Sequence, residues 1–114
     1  MSDFLDRKDE PCLQSRRLVI KVGSSVLTAP AEHGVNRRIL GNISSQVAAL
    51  RSAGRDVVLV SSGAIAAGIK RLNLSQMPRG MSQRQAAAAI GQPILMEAYG
   101  RAFKRRGVEV GQIL

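Results

Sequence analysis

The apolar and polar positions of this chain predict a strand, a helix, a second strand and two further helices. Residues 58–68, Val-Leu-Val-Ser-Ser-Gly-Ala-Ile-Ala-Ala-Gly, organise the rest. Val57, Val58, Leu59 and Val60 form a branched, uncharged run, the pattern of a strand buried on both faces of a parallel sheet. The run stops on Ser61, Ser62 and Gly63, where glycine permits a sharp turn, and Ala64, Ile65, Ala66 and Ala67 then open a helix. Backbone N–H groups at Ser62, Gly63 and Ala64 lack intrahelical partners there, and such a helix start attracts a carboxylate or phosphate.

Earlier in the chain, residues 1–16 mix charges with Pro11 and read as a flexible leader. Residues 17–22, Arg-Leu-Val-Ile-Lys-Val, predict the first strand, followed by Gly23, Ser24 and Ser25 in a loop. Lys21 needs a partner if that strand is buried; otherwise it is an edge-strand lysine reaching solvent. Residues 26–35, with Pro30, Gly34 and the single histidine His33, read as a loop, and His33 is given no catalytic role. Asn36 caps a helix whose apolar positions Ile39, Leu40, Ile43, Val47 and Leu50 recur at helical spacing, with Gly54 as its stop. The result is a strand-helix-strand unit with parallel strands and a right-handed crossover. Both strands end in glycine and serine on one edge of the sheet, where ligands of open parallel sheets bind, so the two loops together predict an anion cradle.

Further along, residues 72–81 carry Asn73, Pro78 and Gly80 and read as an exposed loop with the makings of a lid. A long helical pattern follows over residues 82–106, capped by Ser82 and expected to bend or break at Gly91 and Pro93. Ala86 to Ile90, Ile94, Leu95, Ala98 and Phe103 form its expected buried side. Arg101, Lys104, Arg105 and Arg106 crowd its last turns, where cations suit the negative helix end, and Gly107 stops it. Residues 108–114 read as the opening of a third strand, so the chain is expected to be the front of a larger protein.

Composition changes this picture in two ways. Only 3% of residues are aromatic, so Val, Ile, Leu and Ala must supply the core. The net charge is +9 although the first ten residues are net acidic, which invites three explanations. A solvated arginine-rich helix face is the ordinary one; a basic cleft for an anionic cofactor comes next. A nucleic-acid-binding module is the third, and the scarcity of aromatics for base stacking and the lack of a known binding motif stand against it. Cys12 is the only cysteine, which excludes an intramolecular disulfide, and no apolar signal or spanning run is present. A cytoplasmic protein is expected, with no membrane partner.

P-loop and dinucleotide fingerprints are absent, as are metal-ligand clusters and the frame of a hydrolase serine. The segments Ile-Lys-Val-Gly-Ser-Ser-Val-Leu-Thr at 20–28, Val-Ser-Ser-Gly-Ala-Ile-Ala-Ala-Gly at 60–68, residues 85–92 and Val-Glu-Val-Gly-Gln-Ile-Leu at 108–114 closely resemble the amino-acid kinase family, in particular its glutamate-phosphorylating members. The resemblance covers residues 17–114. It implies a three-layer α/β/α sandwich with a mainly parallel sheet, of which this is the amino-terminal half without the nucleotide-binding half.

It also implies transfer of the γ-phosphoryl group of ATP, accompanied by Mg2+, to the side-chain carboxylate of glutamate, the first step towards proline. By the same resemblance Lys21 is catalytic; Lys21, Gly23, Ser24 and Ser25 meet the phosphates; and Ser62, Gly63 and Ala64 bind glutamate, with no metal ligand in view. The family's remaining site residues lie beyond Leu114, so the chain alone is expected to be inactive. The alternatives are a family member acting on another acid, a phosphate- or nucleic-acid-binding remnant, and a remnant that keeps a dimerising surface. Packing of the long helix against a second copy, giving a homo-oligomer, stays open beside packing within its own sheet.

Overall fold

In the computed structural model, residues 14–28 and 34–114 are described; Cys12, Pro30, His33 and most of the predicted leader lie outside them. The elements run β1 (Arg17–Val22), α1 (Ser24–Thr28), α2 (Arg37–Ser52), β2 (Asp56–Ser61), α3 (Ala64–Arg71) and α4 (Met81–Lys104). β1 and β2 pair in parallel, with Arg17 opposite Asp56 at one end and Val22 opposite Ser61 at the other. Both strands therefore finish at the same level, as their similar endings predict.

The crossover helix starts where its sequence says it should. Asn36 has extended backbone, and its side-chain oxygen accepts from the N–H groups of Arg38 at 3.0 Å and Ile39 at 3.2 Å. Such a cap is worth about 1 kcal/mol. At the far end Gly54 takes φ +82, which a side chain would resist, and turns the chain into β2. The start of β2 is held by the Asp56 N–H donating to the Arg16 carbonyl at 2.8 Å. Arg16, Arg17 and Arg51 also surround the Asp56 carboxylate at 3.7–3.9 Å, but these side chains are half exposed or more, so they orient rather than stabilise.

Burial alternates along both strands. Ile20, Val22, Val57 and Leu59 face a core built with Leu40 and Val47 of α2 and Leu95, Tyr99 and Phe103 of α4. Val19, Val58 and Val60 lie on the other side and are 68%, 37% and 46% exposed. Burial of β2 on both faces is thus not found: among the described residues only one face is covered. The uncharged run at 57–60 reads identically in either case, because branched apolar side chains on the open face carry no mark of it.

Other expectations are also corrected. Ser24–Thr28 is a short helix rather than a loop, anchored by the fully buried Leu27. α4 begins at Met81 with Gly80 at its cap position, so Ser82 lies inside the helix and caps nothing. It then runs unbroken through Gly91 and Pro93. Pro93 falls on the exposed side of the helix, as does Ala89, whose carbonyl its missing N–H releases. Ile90 is 44% exposed, so the buried stripe is Ala87, Gly91, Leu95, Tyr99 and Phe103. Residues 108–114 form no strand: after Gly107, at φ +71, the segment is irregular and only Val108 and Val110 pack against the core.

Gly91 has a packing reason instead of a breaking one. A Cβ built on it would collide with the Ala64 carbonyl and the Gly68 N–H of α3, and a Cβ on Gly68 would collide with the Ala87 carbonyl of α4. The two helices meet backbone to backbone through these positions. Gly91→Ala is therefore expected to lower the urea midpoint by the equivalent of about 1–3 kcal/mol or more, since neither opposing backbone can retreat alone. Gly100→Ala on the same helix meets nothing and should instead stabilise by roughly 0.5–1 kcal/mol.

Candidate functional site

The carboxyl ends of β1 and β2 are stitched together. The Ser62 N–H donates to the Val22 carbonyl at 3.1 Å, and the Ser62 hydroxyl reaches the same carbonyl at 3.3 Å. Gly63 follows at φ +117, a left-handed value that allows α3 to start at once. A Cβ on Gly63 would lie 3.8 Å from the Cα of Ser24, so the turn after β2 sits directly against the start of α1. The Gly23 carbonyl accepts from the N–H groups of Val26 and Leu27, at 3.2 and 3.4 Å, and closes the first turn of α1.

Two short loops thus meet at one edge. Gly23, Ser24 and Ser25 come from one strand end, and Ser62, Gly63 and Ala64 from the other. Ser24, Ser25 and Ser62 are exposed, whereas Gly63 is buried. Gly23 differs from Gly63 in a useful way: a Cβ there would meet nothing within 4 Å. The chain itself has no steric need for glycine at 23, and the space above its Cα is open to a ligand.

Lys21 sits on the open face of the sheet, opposite Val60, and is exposed. It makes no ion pair with any described residue, which answers the requirement for a partner: the strand is not buried on that side. The register puts it two residues before the cradle, leading into Gly23.

Tyr99 is the residue that sequence reasoning missed. Its hydroxyl lies 2.8 Å from the Ser61 hydroxyl, which in turn donates to the Ser62 carbonyl at 3.2 Å. Either hydroxyl can be the donor in the contact between Tyr99 and Ser61. A buried phenol on α4 therefore holds the strand end that carries Ser62. The spacing of Leu95, Tyr99 and Phe103 at successive fourth positions was the signal available, since these three share one helix face. Burial pushes the Tyr99 phenol above its ordinary value, with the Ser61 hydrogen bond opposing.

A parallel α/β unit with two glycine- and serine-bearing strand ends joined at one edge defines a domain of the class that receives anionic ligands outside the carboxyl ends of its strands. Residues 16–114 match the Amino acid kinase family, and the chain belongs to that family. It is 52% identical over 104 residues to a protein of Thermus thermophilus named glutamate 5-kinase, covering 91% of this chain and 28% of that one. A glutamate 5-kinase of Geobacter sulfurreducens is 54% identical over 99 residues, covering 87% and 26%, and one of Azoarcus sp. is 50% identical over 100 residues, covering 88% and 27%. The chain thus spans about a quarter of the length of these curated relatives. Among the described residues, no helix is long and apolar enough to cross a membrane.

Tyr99 is the only tyrosine, and tryptophan is absent, so its ionisation is directly visible in the ultraviolet. Because its folded-state proton is held more tightly than in the unfolded chain, its contribution is complete below about pH 10 and declines as pH rises through the folded value. The urea midpoint of the native chain should fall over that window more than that of Tyr99→Phe. At neutral pH Tyr99→Phe should cost about 1 kcal/mol, the usual net worth of one such hydrogen bond.

Proposed function

We propose that this chain carries the acceptor-binding and phosphate-approach part of a glutamate 5-kinase, which transfers the γ-phosphoryl group of ATP to the side-chain carboxylate of glutamate. The observation that carries this reading is the junction of the two strand ends, where the Val22 carbonyl holds Ser62 and Gly63 faces Ser24 with room for no more than a Cβ between them. Gly63 and Ala64, at the start of α3, offer N–H groups to a carboxylate, the Ser62 N–H being held by the Val22 carbonyl, and the exposed Ser62 hydroxyl joins them by turning from its 3.3 Å contact with that carbonyl. Gly23, Ser24 and Ser25 offer open backbone and hydroxyls to phosphate oxygens, and the Lys21 cation, which has no ion-pair partner among the described residues, lies just before them.

Both reactants are anions, so the chemical problem is repulsion and alignment rather than covalent activation by the protein. A glutamate carboxylate oxygen attacks the γ-phosphorus in line, and the bond from that phosphorus to the β–γ bridging oxygen breaks as ADP leaves. Lys21 neutralises the charge that spreads over the equatorial oxygens. Ser62, Gly63 and Ala64 keep the carboxylate on the attacking side.

Magnesium accompanies ATP in this chemistry. The described residues contain no group of three or more His, Cys, Asp or Glu placed to hold a metal, and the cradle has no carboxylate, so these side chains do not fit a protein-held metal centre. A single cysteine suits a reducing compartment, and the cytoplasm is the location this reading implies.

Millimolar L-glutamate is expected to raise the thermal midpoint of the 114-residue chain, as any ligand of the native state does. Ser62→Ala should weaken that protection by about tenfold or more in glutamate concentration, the range for one hydrogen bond to a charged group. No protection by glutamate, or equal protection in Ser62→Ala, would overturn the assignment of Ser62.

A further inference from the structure

A second basic region lies away from the cradle. The start of α2, the end of α3 and the last three turns of α4 enclose an open cavity of about 590 Å³, whose lining includes Arg37, Arg71, Arg101, Arg105 and Arg106. Among the described residues Glu97 is the only acid on it, and that carboxylate is already engaged by Arg101 at 2.6 Å. Among the described residues, none of Arg37, Arg71, Arg105 and Arg106 is ion-paired. No cradle residue contributes to this lining.

The helix dipole accounts for part of the cluster but not all of it. Arg71 and Arg101 stand in the last turns of α3 and α4, where a cation is favoured. Arg37 is the first residue of α2, a turn that holds no acid, and there the same dipole disfavours it. Its position across the groove from the α4 arginines raises the repulsion further. A multivalent anion removes both penalties at once, because guanidinium forks from three helices can share its oxygens.

We propose that this groove binds a small anion carrying two or three linked phosphates, at a site separate from the glutamate cradle. The cavity volume falls in the range of small-ligand sites. Among the described residues the aromatic rings are those of Tyr99 and Phe103, both buried in the core, so neither offers a face for a nucleic-acid base to stack on. Phosphate chemistry without base recognition is what the lining provides.

The test is calorimetric titration of the 114-residue chain with inorganic tripolyphosphate near physiological ionic strength. Saturable binding is expected, with the groove component weakened about tenfold or more in Arg71→Gln/Arg105→Gln. Arg79→Gln, an exposed arginine outside the groove, should leave it within about twofold, and Lys21→Gln separates any binding at the cradle from that in the groove. Circular dichroism of all four proteins checks that these surface changes leave the fold intact. Absence of binding, equal loss in Arg79→Gln, loss in Lys21→Gln alone, or tighter binding of a short duplex oligonucleotide than of tripolyphosphate would each overturn the proposal.

Discussion

Everything at the strand-end junction depends on how closely α3 can approach α4. Two missing Cβ atoms, at Gly68 and Gly91, let their backbones touch, and Ala64, Ala67 and Ala87 keep the rest of the seam thin. Large side chains there would lift α3 away and take residues 62–64 with it. α4 then reaches the same junction a second time, about two turns after Gly91, through the Tyr99 to Ser61 contact. The long helix thus fixes the turn after β2 from both sides, by steric fit at one point and by hydrogen bonding at the other.

Division of labour between neighbouring serines follows from strand geometry. Successive side chains at the end of β2 point to opposite faces. Ser61 turns inward to the core and its phenol, while the exposed Ser62 crosses to the Val22 carbonyl of the partner strand. Adjacent identical residues therefore make different contacts, one into the core and one across the edge of the sheet. The same alternation leaves Lys21 outside, a cation on an open face leading to an open glycine.

Much of this was legible in the residues. Asn36 and Gly54 bracket α2 because a cap and a left-handed stop are local devices, written in one or two residues each. The matched endings of β1 and β2 announced that both finish on one edge, as parallel strands of similar length must. What escaped was non-local. Gly91 and Pro93 look like breakers to any local rule, and only the partner helix explains why the glycine belongs there. Whether Val58 and Val60 are covered depends on what lies across the sheet, and their own apolarity is silent on it. Residues 108–114 have strand-like alternation, yet a strand exists only by pairing, and no partner meets them among the described residues.

The parallel register has a kinetic consequence. β1 and β2 cannot zip from a tight hairpin, since the whole of α2 separates them, and loop-closure entropy must be met before their ladder gives anything back. The cradle has no existence apart from that ladder: Val22 and Ser62 meet only when the crossover has closed. The contact between the two strand ends is consequently acquired together with the non-local closure that commits the chain to its topology.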